Sequence, residues 1–145
     1  MPILFYSAKS EPYGCFSNFS DHQFELDGHK WKTSEHYFQA QKFCGTKYFS
    51  DVLNAPSPRK AANLGRNRSF PLRKDWEEVK EDVMRNALYA KFSQNESIRK
   101  VLLSTGDEQI IENSPIDFYW GCGSDNSGKN RLGHLLTELR DKLKN

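Results

Sequence analysis

Three polar side chains, Glu35, Gln39 and Lys42, stand at i, i+4 and i+7 within Glu35-His36-Tyr37-Phe38-Gln39-Ala40-Gln41-Lys42-Phe43. In a helix that spacing places them in one stripe, with Glu35 and Lys42 about 10 Å apart along the axis. A carboxylate and an amine on side chains that long could converge on a sugar-sized group between them. The alternative is a solvated polar face whose Glu occupies the first turn because the helix dipole favours it there. Tyr37, Ala40 and Cys44 lie on one side of this helix while Phe38 and Phe43 occupy others, so it is expected to be buried over much of its circumference.

Two further segments could bind a ligand. Between Asp51 and Asp75 there is no acid, but there are Arg59, Lys60, Arg66, Arg68, Arg73 and Lys74. Arg66-Asn67-Arg68, with Gly65 beside it, offers forked donors that suit phosphate. The competing reading is surface pairing with the acids that follow, from Asp75 to Asp82. The other segment runs from Asp117-Phe118-Tyr119-Trp120-Gly121 through Gly123 and Gly128 to Asn130. Its glycines would let backbone approach a ligand, Trp120 could stack on a base or cover a sugar, and the following helix N-terminus could hold an anion. It matches neither a Walker loop nor a dinucleotide fingerprint, and a plain connecting loop fits equally. Asn18-Phe19, inside Phe16-Ser17-Asn18-Phe19, reads as an aromatic loop anchor or a ligand lip.

The elements that must position these groups follow from periodicity and turn chemistry. Ile3–Tyr6 reads as a strand and 7–18 as a loop. Gln23–Leu26 and His29–Trp31 flank Asp27-Gly28, a strong hairpin signal. Thr33-Ser34 caps a helix over Glu35–Phe43, closed by Gly45. Lys47–Asn54 and Arg59–Gly65 are short helices separated by Pro56 and Pro58. Apolar positions Trp76, Val79, Val83, Leu88 and Phe92 mark a long helix from Asp75 to about Gln94. Asn95 caps another helix ending near Ser104, Gln109–Glu112 is a strand, and Asn130–Leu143 is an amphipathic helix. The expected fold is mostly α, of the α+β kind, with several helices and a small sheet or hairpin in one domain over 1–145.

Composition narrows the function classes. With 145 residues, 37% hydrophobic and 13% aromatic, the chain can build a core, and a disordered tail is excluded. Its apolar runs fall far short of the roughly 20 residues of a spanning helix. Twenty-one basic against 19 acidic residues give a net charge of +2, which argues against a nucleic-acid-coating surface. Three scattered cysteines, Cys15, Cys44 and Cys122, and no basic-then-apolar opening at Met1–Tyr6 point to a reducing cytoplasm. Four isolated histidines show no metal-ligand spacing, so neither metal nor other cofactor is expected. Nothing in the pattern fixes an oligomeric state.

Taken together the segments are more specific than each alone. Trp31-Lys32-Thr33-Ser34-Glu35-His36-Tyr37-Phe38-Gln39-Ala40-Gln41-Lys42-Phe43 resembles the signature helix of the NADAR (NAD and ADP-ribose) superfamily. Phe16-Ser17-Asn18-Phe19, Leu64-Gly65-Arg66 with Arg68, Pro71-Leu72-Arg73 with Asp75-Trp76, Tyr119-Trp120-Gly121, and Asn130 with Leu132-Gly133 follow the family pattern in order. The resemblance covers Phe5 to Arg140. Cys122 and Asn126 fall where variable residues, or Gly at the latter, are expected.

The resemblance implies an N-glycosidase that cleaves ribose C1 from an exocyclic amine of a base. Its members include enzymes acting on ribosylamino-pyrimidine intermediates of riboflavin synthesis and hydrolases that remove ADP-ribose from guanine in nucleic acid. By family position Lys42 would attack C1 as a neutral amine, Glu35 would move protons or stabilise charge at C1, and Asp117 would orient hydroxyls or activate water. Direct water attack with two carboxylates is the alternative, with Lys42 then only a binding group. Arg66, Arg68 and Arg73 are the expected phosphate partners. Asn18, Phe19, Gln39, Trp120, Gly121 and Asn130 complete the substrate-binding set, with Trp120 and Phe19 as walls. A non-catalytic reader of ADP-ribose or NAD would keep Trp120 and the arginines without needing the Glu35–Lys42 pair. A salt-sensitive nucleic-acid module is the third class.

Overall fold

Asp27 and Gly28 both take positive φ, +56° and +80°, as a two-residue hairpin turn requires. They join β2 (Phe24–Leu26) to β3 (His29–Trp31) in antiparallel register, Phe24 opposite Trp31 and Leu26 opposite His29. The computed structural model describes residues 1–144. Its other elements are β1 (Ile3–Phe5), α1 (Ser34–Gln41), α2 (Tyr48–Leu53), α3 (Pro58–Gly65), α4 (Trp76–Gln94), α5 (Glu96–Ser104), β4 (Ile110–Glu112) and α6 (Arg131–Leu143). Mostly helical content with small two-stranded pairings is therefore the fold class. Among the described residues no helix is long and apolar enough to cross a membrane. The chain gathers into two compact units, one formed by Asp21–Gln94 and one by residues 1–20 with the stretch from Asn95 onward.

In the Asp21–Gln94 unit, α1 packs against α2, α3 and α4, and all eight of its residues are buried. Trp31, fully buried, meets Tyr37 edge-on at 5.1 Å and Phe49 at 5.6 Å. Its indole N–H donates to the Leu26 carbonyl (3.0 Å), and the Tyr37 hydroxyl donates to Asp27 Oδ2 (2.8 Å). The hairpin is thus fastened to α1 from both sides. α1 stops at Gln41, two residues before the expected end. Lys42 N–H and Phe43 N–H turn to the carbonyls of Gln39 and Ala40, three residues back, a tightening common in last helical turns. Ser57 caps α3 by accepting from Lys60 N–H (3.1 Å), with Pro58 in its first turn, where a missing N–H costs nothing.

The second unit holds a pairing that periodicity does not reveal. β1 runs parallel to β4, Ile3 opposite Ile110 and Phe5 opposite Glu112. Asn130 fixes β4 to the start of α6, its amide donating to the Ile110 carbonyl (2.9 Å) and accepting from Glu112 N–H (3.0 Å). Tyr13–Phe16 forms a 3-10 turn inside the expected loop, burying Phe16 edge-on against Phe5 at 5.7 Å. Buried Arg140 donates to Thr105 Oγ1 (2.9 Å) and the Glu108 carbonyl (2.8 Å), closing the end of α5.

At the start of α1, Thr33 Oγ1 accepts from His36 N–H (3.1 Å) and lies 2.7 Å from His36 Nδ1, while Nε2 lies 3.0 Å from the Ala55 carbonyl. A carbonyl can only accept, so Nε2 carries the proton and the neutral ring accepts the Thr33 hydroxyl at Nδ1. Burial holds the His36 imidazole below its ordinary 6.5; the Ala55 carbonyl opposes that shift and Lys32 adds to it. A neutral histidine here stabilises the fold fully above about pH 6.5, and that contribution is lost as pH falls through the lowered value. Denaturant unfolding between about pH 7.5 and 5 should therefore show falling stability. His36→Gln should lower stability at the upper end and flatten the decline, leaving the slope due to His22, which burial also holds low. An unchanged slope in the variant would refute this origin.

Candidate functional site

The stripe on α1 does not face water. Glu35 is 8% exposed and Gln39 5%, so the solvated-face alternative is excluded. Within the stripe Gln39 Nε2 donates to Glu35 Oε2 at 2.7 Å. Gln39 Oε1, on the same amide, is buried with no hydrogen-bond partner, at a cost of about 1–3 kcal/mol. It lies against Gly65 in the last turn of α3, where a side-chain carbon would collide with the Gln39 amide. Gly65 has no positive φ, so conformational freedom is not its use. What it provides here is space.

Lys42 follows the helix end, its Nζ donating to the Gly65 carbonyl at 3.2 Å. The ammonium lies 5.8 Å from the Phe38 ring centre and 5.7 Å from that of Trp76; these rings meet edge-to-face at 5.0 Å. Burial drives the Lys42 pKa below its ordinary 10.5. Glu35 opposes the shift, Arg66 and Arg68 reinforce it, and Glu77 opposes it weakly. The aromatic faces favour the cation, yet desolvation outweighs them.

A cavity of about 570 Å³ opens at Lys42, with Arg66, Arg68, Phe70, Trp76 and Glu77 in its walls. Its polar end is cationic and its other walls are aromatic and aliphatic, a combination that suits a phosphate joined to a flat or apolar group. Arg66 and Arg68 make no ion pair among the described residues. The acids of α4 pair within their own helix, Glu77 with Lys80 (2.6 Å) and Asp82 with Arg85 (2.7 Å). Arg73 differs, since its fork grips Asp75 at 2.6 and 3.0 Å and it does not line the cavity. Surface pairing, the competing reading of the basic segment, thus holds for Arg73 alone of these three arginines.

The remaining sequence candidates lie in the other unit. Asp117 Oδ1 accepts the N–H groups of Tyr119 (3.0 Å) and Trp120 (2.8 Å), so the carboxylate shapes the loop that carries Trp120. Gly121 packs directly against Glu112. Asn18 and Phe19 are half-buried on a turn held by Ser17 Oγ, which accepts Phe19 N–H at 3.1 Å. Asn130 spends its side chain on β4, as described, and not on a pocket. The expected anion site at α6 is closed, because Arg131 and Leu132 N–H donate to the Tyr119 and Trp120 carbonyls, both at 3.0 Å. Sequence reasoning treated Trp76 as core and passed over Phe70 and Glu77. The missed signal for Trp76 is its place at the first turn of α4, directly after the basic segment.

Comparison with known proteins gives the family. The NADAR domain model matches residues 4–144. The chain belongs to the NADAR domain family. Among NADAR relatives, N-glycosidase YbiA of Shigella flexneri serotype 5b is 54% identical, covering 97% of this chain and 88% of that protein. N-glycosidase Npun_R5314 of Nostoc punctiforme is 47% identical over 100% and 94%. The NMR structure of Escherichia coli YbiA superposes with a TM-score of 0.92 at 51% identity, over 99% of this chain and 85% of that one. Riboflavin biosynthesis protein VVA0006 of Vibrio vulnificus is 38% identical over 98% of this chain, which spans 38% of that longer protein.

The Lys42 environment gives a direct test. Acylation by an amine-selective reagent, followed by mass spectrometry against pH, should show Lys42 reacting with a midpoint below 10.5. In the R66A/R68A variant the midpoint should rise, since two cations that disfavour its charge are gone. A midpoint that does not move would remove the arginines from this role.

Proposed function

We propose that this chain is an N-glycosidase that hydrolyses the bond between ribose C1 and an exocyclic amine of a base, on a substrate carrying a ribosyl phosphate. The observation that carries the reading is Lys42: an amine with a lowered pKa, on the helix that buries Glu35, opening onto a cavity with two unneutralised arginines. The names of the YbiA and Nostoc relatives support the reaction class. The name of the Vibrio relative supports a ribosylamino-pyrimidine phosphate over ADP-ribosyl-guanine.

The bond to be broken sets the chemistry. An N-ribosyl amine can open its ring, the C1–O bond breaking as the nitrogen lone pair forms a C1=N iminium and the ring oxygen takes a proton from the Glu35 carboxyl, which the proton lost later by water restores. Neutral Lys42 Nζ adds to C1, its surplus proton passes to the base nitrogen, and the C1–N(base) bond breaks to release the base amine. The sugar is then held on Lys42 as an iminium. Water adds at C1, loses a proton, and expels Lys42, giving the free sugar aldehyde and the original amine. Glu35 is the group proposed to carry these protons between nitrogen and water. Arg66 and Arg68 hold the phosphate through their forks, and Trp76 with Phe70 forms the apolar wall.

A single-domain enzyme of cytoplasmic location fits the family match across both units and three thiols outside any disulfide. A reader of ADP-ribose without catalysis would gain nothing from a desolvated lysine, whose burial costs stability.

The test compares base release from a ribosylamino-pyrimidine phosphate and from ADP-ribosyl-guanosine. Lys42→Ala and Glu35→Gln should each lower release by at least roughly 100-fold with the fold retained. Borohydride added during turnover should leave a ribosyl adduct on Lys42. Full activity in Lys42→Ala, with no adduct in the native chain, would sink the nucleophile assignment.

A further inference from the structure

We propose that Gly65 is a positioning residue that sets Glu35 and Lys42 for the reaction, through its two bare ends. This rests on the functional reading above. Its carbonyl receives Lys42 Nζ at 3.2 Å. Its missing side chain leaves room for the Gln39 amide, whose Nε2 is held on Glu35 Oε2 at 2.7 Å. One residue of α3 thereby fixes Glu35 of α1 and Lys42 just beyond its end.

Two features show that the space is kept for this purpose. Gly65 lies in a helix without positive φ, where alanine would serve the backbone better. Gln39 Oε1 also stays unpartnered in a nearly closed site. A methyl at position 65 would displace the end of a flexible side chain, the Gln39 amide, and relieve both conditions. Its effect would be the loss of the amide's grip on Glu35. The chain keeps the less stable arrangement that holds the carboxylate in place.

The variants G65A, Q39A and G65A/Q39A test this. G65A should fold, because the Gln39 amide can swing aside and Gln39 Cβ, 3.0 Å from the added methyl, need give only slightly, and its kcat should fall roughly 10- to 100-fold with KM little changed. Q39A should reproduce that split. The double variant should be no worse than the weaker single one, since Gly65 acts on Glu35 through Gln39. Additive losses in the double variant, or a G65A protein that fails to fold, would overturn the proposal. The Gln39 side-chain N–H resonances, read by NMR without substrate, should move in both G65A and E35Q. Unmoved resonances in G65A overturn the positioning role even if kcat falls. Because this signature needs no turnover, a wild-type protein that releases no base from any ribosylamine defeats the functional reading and leaves the positioning test standing.

Discussion

Desolvation of one amine organises the Asp21–Gln94 unit. Lys42 is partly shielded from water beside Phe38 and Trp76, and these belong to α1 and α4. To hold them edge-to-face, α1 must pack on α4, so α1 must be apolar on sides where a surface helix would be polar. The rest follows from that demand. The hairpin fastens the start of α1 through Trp31 and Tyr37, the Thr33–His36–Ala55 bonds satisfy its first turn, and α3 lies against its stripe. Buried polar groups on such a helix need partners inside the protein, and Gln39 with Glu35 is that pairing.

The cationic wall works in the same direction as burial. Arg66 and Arg68 raise the energy of an ammonium at Lys42 and line the cavity beside it. Under the proposed function, a doubly charged phosphate placed there would weaken this repulsion, and its binding would be coupled to lysine ionisation through one pair of guanidiniums. Arg73 cannot share the task with its fork on Asp75. It has a structural one instead, since its N–H donates to the Lys42 carbonyl at 3.0 Å and its guanidinium to the Gln41 carbonyl at 3.4 Å.

Much of this was legible in the sequence, and the limits have physical causes. Helices α1 to α6 and the hairpin follow from caps, periodicity and Asp27-Gly28, because those signals act between near neighbours. The stripe of Glu35, Gln39 and Lys42 was also visible, but whether it met water or protein depends on what packs against it. Periodicity along one helix does not carry that information. Arg66, Arg68 and Arg73 looked alike for the same reason, as only the fold shows which fork Asp75 occupies. Asn130 read as a ligand group because an amide before a helix suits either role, and the strand it braces pairs with the far end of the chain. The parallel partner of β1 was out of reach for sequence patterns, which give a strand its faces and not its neighbour.

That pairing has a bearing on the order of assembly. All the elements around Lys42 come from one uninterrupted stretch, so each finds its partners within a short span of chain. β1 leaves the ribosome early but has no strand to pair with until Ile110–Glu112 has been made. Contacts within a short span close with little loss of chain entropy, whereas a junction between distant segments forms late and slowly. During synthesis the stretch that bears Lys42 can therefore be complete while Ile3–Phe5 still waits for its parallel partner. The completion of Ile110–Glu112 therefore marks the moment at which the parallel pair can form.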